Sequence, residues 1–139
     1  DLFVKPIDVI DNNIPNGNGI FLLACIKIFN ITGDAFWKEK IETLKKSYHS
    51  SINNSYSQMF SYLKILDICD QNITFTFNGD DKKLRDIKDK LLKKYFEKAT
   101  FIYKGNSDEN FVLICKNQTC SEKLKSLNEV EKYINEKSI

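Results

Sequence analysis

The run Ile14-Pro15-Asn16-Gly17-Asn18-Gly19 passes without a spacer into Ile20-Phe21-Leu22-Leu23-Ala24-Cys25-Ile26. A polar turn broken by glycines thus opens straight into a helix that is apolar on nearly every side. Such a helix needs protein all round it, whereas an amphipathic helix keeps one flank in water. The remainder of the 139 residues is a short supply of cover, because a chain of this length buries one ordinary core or two small ones. The expectation is one end of a larger molecule, with its apolar helices covered by the remainder of the parent chain or by a second copy in a homo-oligomer.

Composition narrows the classes. Apolar residues make up 42% and charged residues 29% of the chain, the balance of a soluble globular protein. No apolar run reaches the roughly 18 residues that a membrane-spanning helix requires. Twenty-one basic against 19 acidic side chains leave a net charge of +2, too even to argue for nucleic-acid or membrane binding. Lysines alternate with acids in Lys82-Lys83-Leu84-Arg85-Asp86-Ile87-Lys88-Asp89-Lys90, the pattern of a solvated helix face. Residues 1–6 carry no basic start leading into an apolar run, so no secretory leader is expected. The four cysteines are too sparse for a disulfide framework, which predicts a reducing, cytoplasmic setting.

Periodicity divides the chain at about residue 70. After a leading segment up to about Gly19, the first helix should run to Phe29, with Asn30, Thr32 and Gly33 as its stop and Asp34 as the next N-cap. Trp37, Ile41, Leu44 and Tyr48 then recur on one helical face. The pair forms a helical hairpin over 19–50. Ser50–Ser55 reads as a loop, and a third helix follows from Tyr56 to Ile68 with Met59, Leu63 and Leu66 buried. From Asn72 the chemistry changes. Ile73-Thr74-Phe75-Thr76-Phe77 is β-branched and aromatic, and Asn78-Gly79-Asp80 turns it. A helix to Tyr95 buries Leu84, Ile87, Leu91 and Tyr95. Thr100–Tyr103 is a second strand, parallel to the first. Phe111–Cys115 is a third, joined to the second by a link short enough for an antiparallel hairpin. Ser126-Leu127-Asn128-Glu129 has the form of a capping box and opens a last helix that buries Leu127, Val130 and Ile134. The fold class is α+β: a helical portion, 1–70, followed by a small β-α-β-β-α domain with a mixed sheet, 71–139.

Chemistry-bearing residues are few. Cys115 and Cys120 are the most suggestive pair: they could close a disulfide, form half a metal site, or be unrelated thiols, and two reduced thiols, one packed and one exposed, is the reading the residues favour. Zinc requires four ligands, while the single histidine, His49, falls in the helical half, so no metal and no cofactor is expected. Asn16, Gly17 and Asn18 could offer amides to an anion or a sugar hydroxyl; a tight turn with an N-cap is the plainer alternative. Asn78-Gly79-Asp80 lacks the glycine pattern of a phosphate loop, and its aspartates (with Asp81) would repel a phosphate. His49 with Ser50 and Ser51 lacks the third member of a triad.

Taken in order, these landmarks resemble the carboxyl-terminal end of the family of long thioredoxin-domain proteins that includes bacterial YyaL and mammalian spermatogenesis-associated protein 20. The resemblance runs from Asp11 through Ile14-Pro15-Asn16-Gly17-Asn18, against the family's Pro-Ser-Gly-Asn, to Ile31-Thr32-Gly33-Asp34, against Leu-Thr-Gly-Asp. It resumes at the strand ending in Asn78-Gly79 and closes with Val112-Leu113-Ile114-Cys115-Lys116-Asn117-Gln118-Thr119-Cys120. Departures are Asn16 for the family's Ser, Lys123 where a Pro usually follows the second cysteine, and a shorter segment between Tyr103 and Phe111. The resemblance implies a parent with a thioredoxin-like domain and an (α/α)6 toroid like those of N-acylglucosamine 2-epimerases and six-hairpin glycosidases. It also implies that Asn16, Gly17 and Asn18 face the toroid's central cavity. The expected role is non-catalytic, completing a toroid and capping it. A thiol–disulfide module using Cys115 and Cys120, or part of a carbohydrate-active enzyme, are the alternatives.

Overall fold

The computed structural model describes residues 10–11, 16–105, 108–117 and 119–139; the side chains of 50–55 fall outside that description. Most of the leading segment expected before Gly19, including Ile14 and Pro15, therefore lies outside the described residues. The elements are α1 (Gly17–Thr32), α2 (Ala35–Ser55), a 3-10 turn (Tyr56–Gln58), α3 (Phe60–Gln71), β1 (Ile73–Asn78), α4 (Asp81–Tyr95), β2 (Ala99–Lys104), β3 (Phe111–Lys116), β4 (Thr119–Cys120) and α5 (Leu127–Glu136). The class is α+β, and the chain divides into two compact units, Asp1–Asp70 and Gln71–Ile139. Among the described residues no helix is long and apolar enough to cross a membrane.

Local chemistry sets the helix ends of the first unit. Asn16 caps α1 by accepting the Gly19 N–H, and Gly33, at φ 68°, closes it by donating its N–H to Phe29 O. Only a residue tolerant of the left-handed region fits that stop. Asp34 then accepts the Phe36 N–H at 2.9 Å and starts α2. Where a loop was expected over Ser50–Ser55, the helix continues through Ser55. Polar Ser and Asn disfavour a helix interior only weakly, and here the helical backbone simply runs on to the 3-10 turn.

The core of this unit gathers Leu22, Cys25 and Ile26 from α1, Ile41 and Tyr48 from α2, and Met59, Tyr62 and Ile65 from the segment containing α3. Tyr48 and Tyr62 meet edge to face at 5.2 Å, the arrangement that sets a ring's positive edge against a negative face. The expected buried stripe Met59, Leu63, Leu66 is thereby turned: Met59 is enclosed, but Tyr62 and Ile65 lie deeper than Leu63 and Leu66, which pack only partly against the cluster. Met59 precedes the first residue of α3 and so does not fix the phase of that helix; Tyr62 and Ile65, three apart on one face, turn inward.

In the second unit the sheet order is β2-β1-β3-β4. β1 pairs in parallel with β2, Phe75 opposite Phe101, as expected. The expected β2–β3 hairpin does not form; β3 instead pairs antiparallel with β1 on its other side, Phe75 opposite Ile114. β1, with Ile73, Phe75, Thr76 and Phe77 all buried, is the most enclosed strand and takes a central position. The link between β2 and β3 crosses its end, where Gly79 at φ 113° donates to Lys104 O and Asp80 N–H bonds Asn110 Oδ1 at 2.7 Å. A Cβ on Gly79 would sit 2.5 Å from Asn110 Oδ1 and 2.8 Å from Glu109 O, so glycine is what lets the link pass.

Ile73, Phe75, Phe77, Val112 and Ile114 form one face, packed against Leu84, Ile87, Leu91 and Tyr95 of α4 and Val130 and Ile134 of α5. The α4 stripe is the one its periodicity predicts, and Asp80 caps that helix. Ser126 caps α5 through the Glu129 N–H. The returning Glu129 carboxylate reaches the backbone N–H of Lys125 at 2.7 Å, one residue before the one a capping box would use.

Candidate functional site

Two places carried the expected chemistry: the turn before α1 and the cysteine pair. At the first, Asn16 is only 9% exposed. Its Oδ1 accepts the Gly19 N–H at 2.6 Å, and its Nδ2 donates to Asp11 Oδ1 at 3.2 Å. The Asn16 backbone N–H donates to the same oxygen at 3.1 Å, while Asp11 Oδ2 accepts the Ser61 N–H at 2.8 Å. Asp11 also donates its own N–H to Gln58 O. Partial burial pushes the Asp11 carboxyl upward, and the hydrogen bonds from Ser61 and Asn16 outweigh it, leaving the pKa below its ordinary value. An ionised carboxylate at the first turn of α3 also suits the positive end of that helix.

This node ties the start of α1 to the start of α3. Gly19 lies so close to Ile65 that an added Cβ would meet its Cδ1 at 3.2 Å. Asn16 therefore works as a structural cap. Asn18 is half-buried and engaged in an interaction of its own, whereas Gly17 is exposed and opens onto free space. Asp11 and Ser61 were not foreseen as its partners. The signal was an acid five residues ahead of an N-cap asparagine, but nothing local marks a residue 50 positions away as its second partner.

At the second place, Cys115 and Cys120 are joined in a disulfide, with Cα atoms 3.9 Å apart. The expectation of two free thiols is corrected here, and the reason is β4, a strand not foreseen. Lys116 pairs with Thr119 and Cys115 with Cys120, so two residues close the hairpin and positions i and i+5 fall directly opposite. Ser121 N–H donates to Ile114 O at 2.8 Å. In antiparallel alternation the 115–120 pair is then one without mutual backbone hydrogen bonds, where side chains approach most closely. Cys115 is half-buried and Cys120 exposed. By parity in β3, Cys115 lies on the sheet face opposite α4 and α5.

Next to the hairpin, Asn117 takes φ 49° and donates its N–H to Asn72 O at 3.4 Å. Asn72 itself takes φ 40°, and its side-chain Oδ1 is buried without a hydrogen-bond partner. Buried polar atoms are nearly always satisfied, so this oxygen stands out. Lys123 pairs with Glu109 at 2.6 Å and lies 4.8 Å from the Phe111 ring centroid. That contact, with Lys125 further off, lowers the Glu109 pKa.

The remaining cysteines are different. Cys25 is buried and Cys69 half-buried, both unbonded, and burial raises both thiol pKa values. They stay protonated, the inert state of a packed thiol. Tyr62 is pushed up to about 12, chiefly by burial and then by Tyr48 and Cys69. His49 is exposed and borders a shallow depression of about 320 Å³ with Lys45, Lys46, Tyr62 and Leu66. Among the described residues no group of three or more His, Cys, Asp or Glu side chains could hold a metal ion. Asn78-Gly79-Asp80 is occupied by the crossing link.

No protein-family model matches the chain, and no curated protein matches it.

Proposed function

We propose that this chain is a non-catalytic portion of a larger thioredoxin-domain protein, whose helical unit completes an α/α toroid and whose sheet unit caps it. The observation that supports this reading is the outer face of α1. Ile20 is 49% exposed, Phe21 45% and Ile31 57%, all on a helix whose opposite face fills the core. Apolar side chains clustered on one flank mark a surface that another polypeptide covers. The test uses the 139-residue chain alone. It should self-associate or bind an apolar dye, and the triple change Ile20→Ser, Phe21→Ser, Ile31→Ser should abolish both while keeping the helical signal. A dilute-to-concentrated series that stays monomeric and dye-free would remove the reading.

A second reading, a thiol–disulfide module, is supported by one observation: the Cys115–Cys120 bond ends at an exposed residue on a two-residue strand. Alkylation of the chain across a glutathione series should show both thiols appearing together. Thiols that stay free at every ratio would exclude it.

A further inference from the structure

The hairpin that carries the disulfide is fastened to the rest of its sheet in two distinct ways. Ser121 and Leu124 hold the returning strand to Ile114 and Val112 through backbone hydrogen bonds of 2.8–3.0 Å. Those bonds do not depend on sulfur. At the tip, by contrast, β4 is two exposed residues long, and the disulfide is the covalent tie. The tip also meets the start of β1 through the Asn117 N–H to Asn72 O bond. There Asn72 is held at positive φ with its Oδ1 buried and unsatisfied. Leaving such an oxygen unpaired is costly, so whatever confines Asn72 opposes a real tendency to open.

We propose that Cys115–Cys120 is a thiol–disulfide exchange site for a dithiol partner, and that the state of the bond locks or frees Asn72 at the start of β1. This rests on the thiol reading above. A partner thiolate attacks the Sγ of Cys120, the more exposed of the two residues. The S–S bond breaks, Cys115 leaves as a thiolate, and a mixed disulfide joins Cys120 to the partner. The partner's second thiolate then attacks its own bridged sulfur and releases Cys120. Two electrons pass from the partner, which ends as a disulfide, and its two protons end on Cys115 and Cys120. With the tip released, water reaches Asn72 Oδ1.

The test equilibrates the full chain with mixtures of reduced and oxidised dithiothreitol, traps thiols by alkylation, and follows amide exchange in both forms. Cys115 and Cys120 should become alkylated together. In the reduced form the Asn117 amide should exchange about tenfold faster or more, while Val112 and Leu124 change less than about twofold. Asn72→Gly removes the unpaired oxygen and accepts positive φ, so it favours the closed form. It should move the half-reduction point toward a more reducing mixture by about fivefold or more. Unchanged Asn117 exchange, or an unmoved midpoint in Asn72→Gly, overturns the latch and leaves the thiol reading standing. A bond that is never formed, or never opened at any ratio, overturns both.

Discussion

In the helical unit, α1 buries Leu22, Cys25 and Ile26 while Ile20, Phe21 and Ile31 remain exposed. In the sheet unit, α4 and α5 place their apolar residues on the sheet and turn lysines and acids outward, as with Lys90 and Glu131, which pair across them. The two units are nearly equal in length, so size does not account for the contrast. Helix patterning does. A helix with one apolar stripe is satisfied by one neighbouring layer, and a helix apolar all round is left with a surplus face. Polar contacts fill part of the gap in the helical unit, where Asp11 binds the starts of two helices; the sheet unit relies on a core ringed by Phe75, Tyr95 and Phe101.

Three substitutions sharpen or break that contrast. Phe75→Ala, at a fully enclosed position, should cost the sheet unit about 3–5 kcal/mol. Urea unfolding followed by circular dichroism would show it, while the fluorescence of Trp37, the chain's single tryptophan and part of the helical unit, should shift by less than about 0.5 kcal/mol. An equal shift at Trp37 would mean that the two cores melt as one. Gly79→Ala forces a side chain into Glu109 and Asn110 at positive φ, and should cost about 2 kcal/mol, seen as a lower urea midpoint for the same unit. Asp11→Asn removes the charged acceptor of the helical unit and should cost about 1 kcal/mol at neutral pH. The pH dependence carries a sign: the folded pKa of Asp11 is lowered, so its stabilisation is complete above the unfolded value and is lost as pH falls through the folded one. The Trp37 midpoint should therefore fall in acid for the natural chain and depend less on pH in Asp11→Asn.

Much of the fold was readable along the chain. Asn16, Gly33, Asp34, Asp80 and Ser126 mark helix ends by chemistry confined to a turn, and the α4 stripe repeats at the helical period. At the candidate sites less was readable. Cys115 and Cys120 stood out as a pair, but their bond depends on a two-residue strand too short to carry a pattern. Asn16 stood out as polar, but its commitment to Asp11, and Asp11's to Ser61, joins positions far apart in sequence.

What the amino-acid order determined by itself is therefore local: the caps that start α1, α2, α4 and α5, the segments that become β1, β2 and β3, and that α1 is too apolar for water. The tertiary structure alone decided that β3 flanks β1 rather than β2, that Tyr62 and Ile65 rather than Leu63 and Leu66 turn inward, and that the two thiols meet. Caps and periods arise from hydrogen bonds and sterics within a few residues. Strand neighbours, helix rotation and cross-strand pairs are chosen by competition among distant surfaces for the same core, and no single segment contains that comparison.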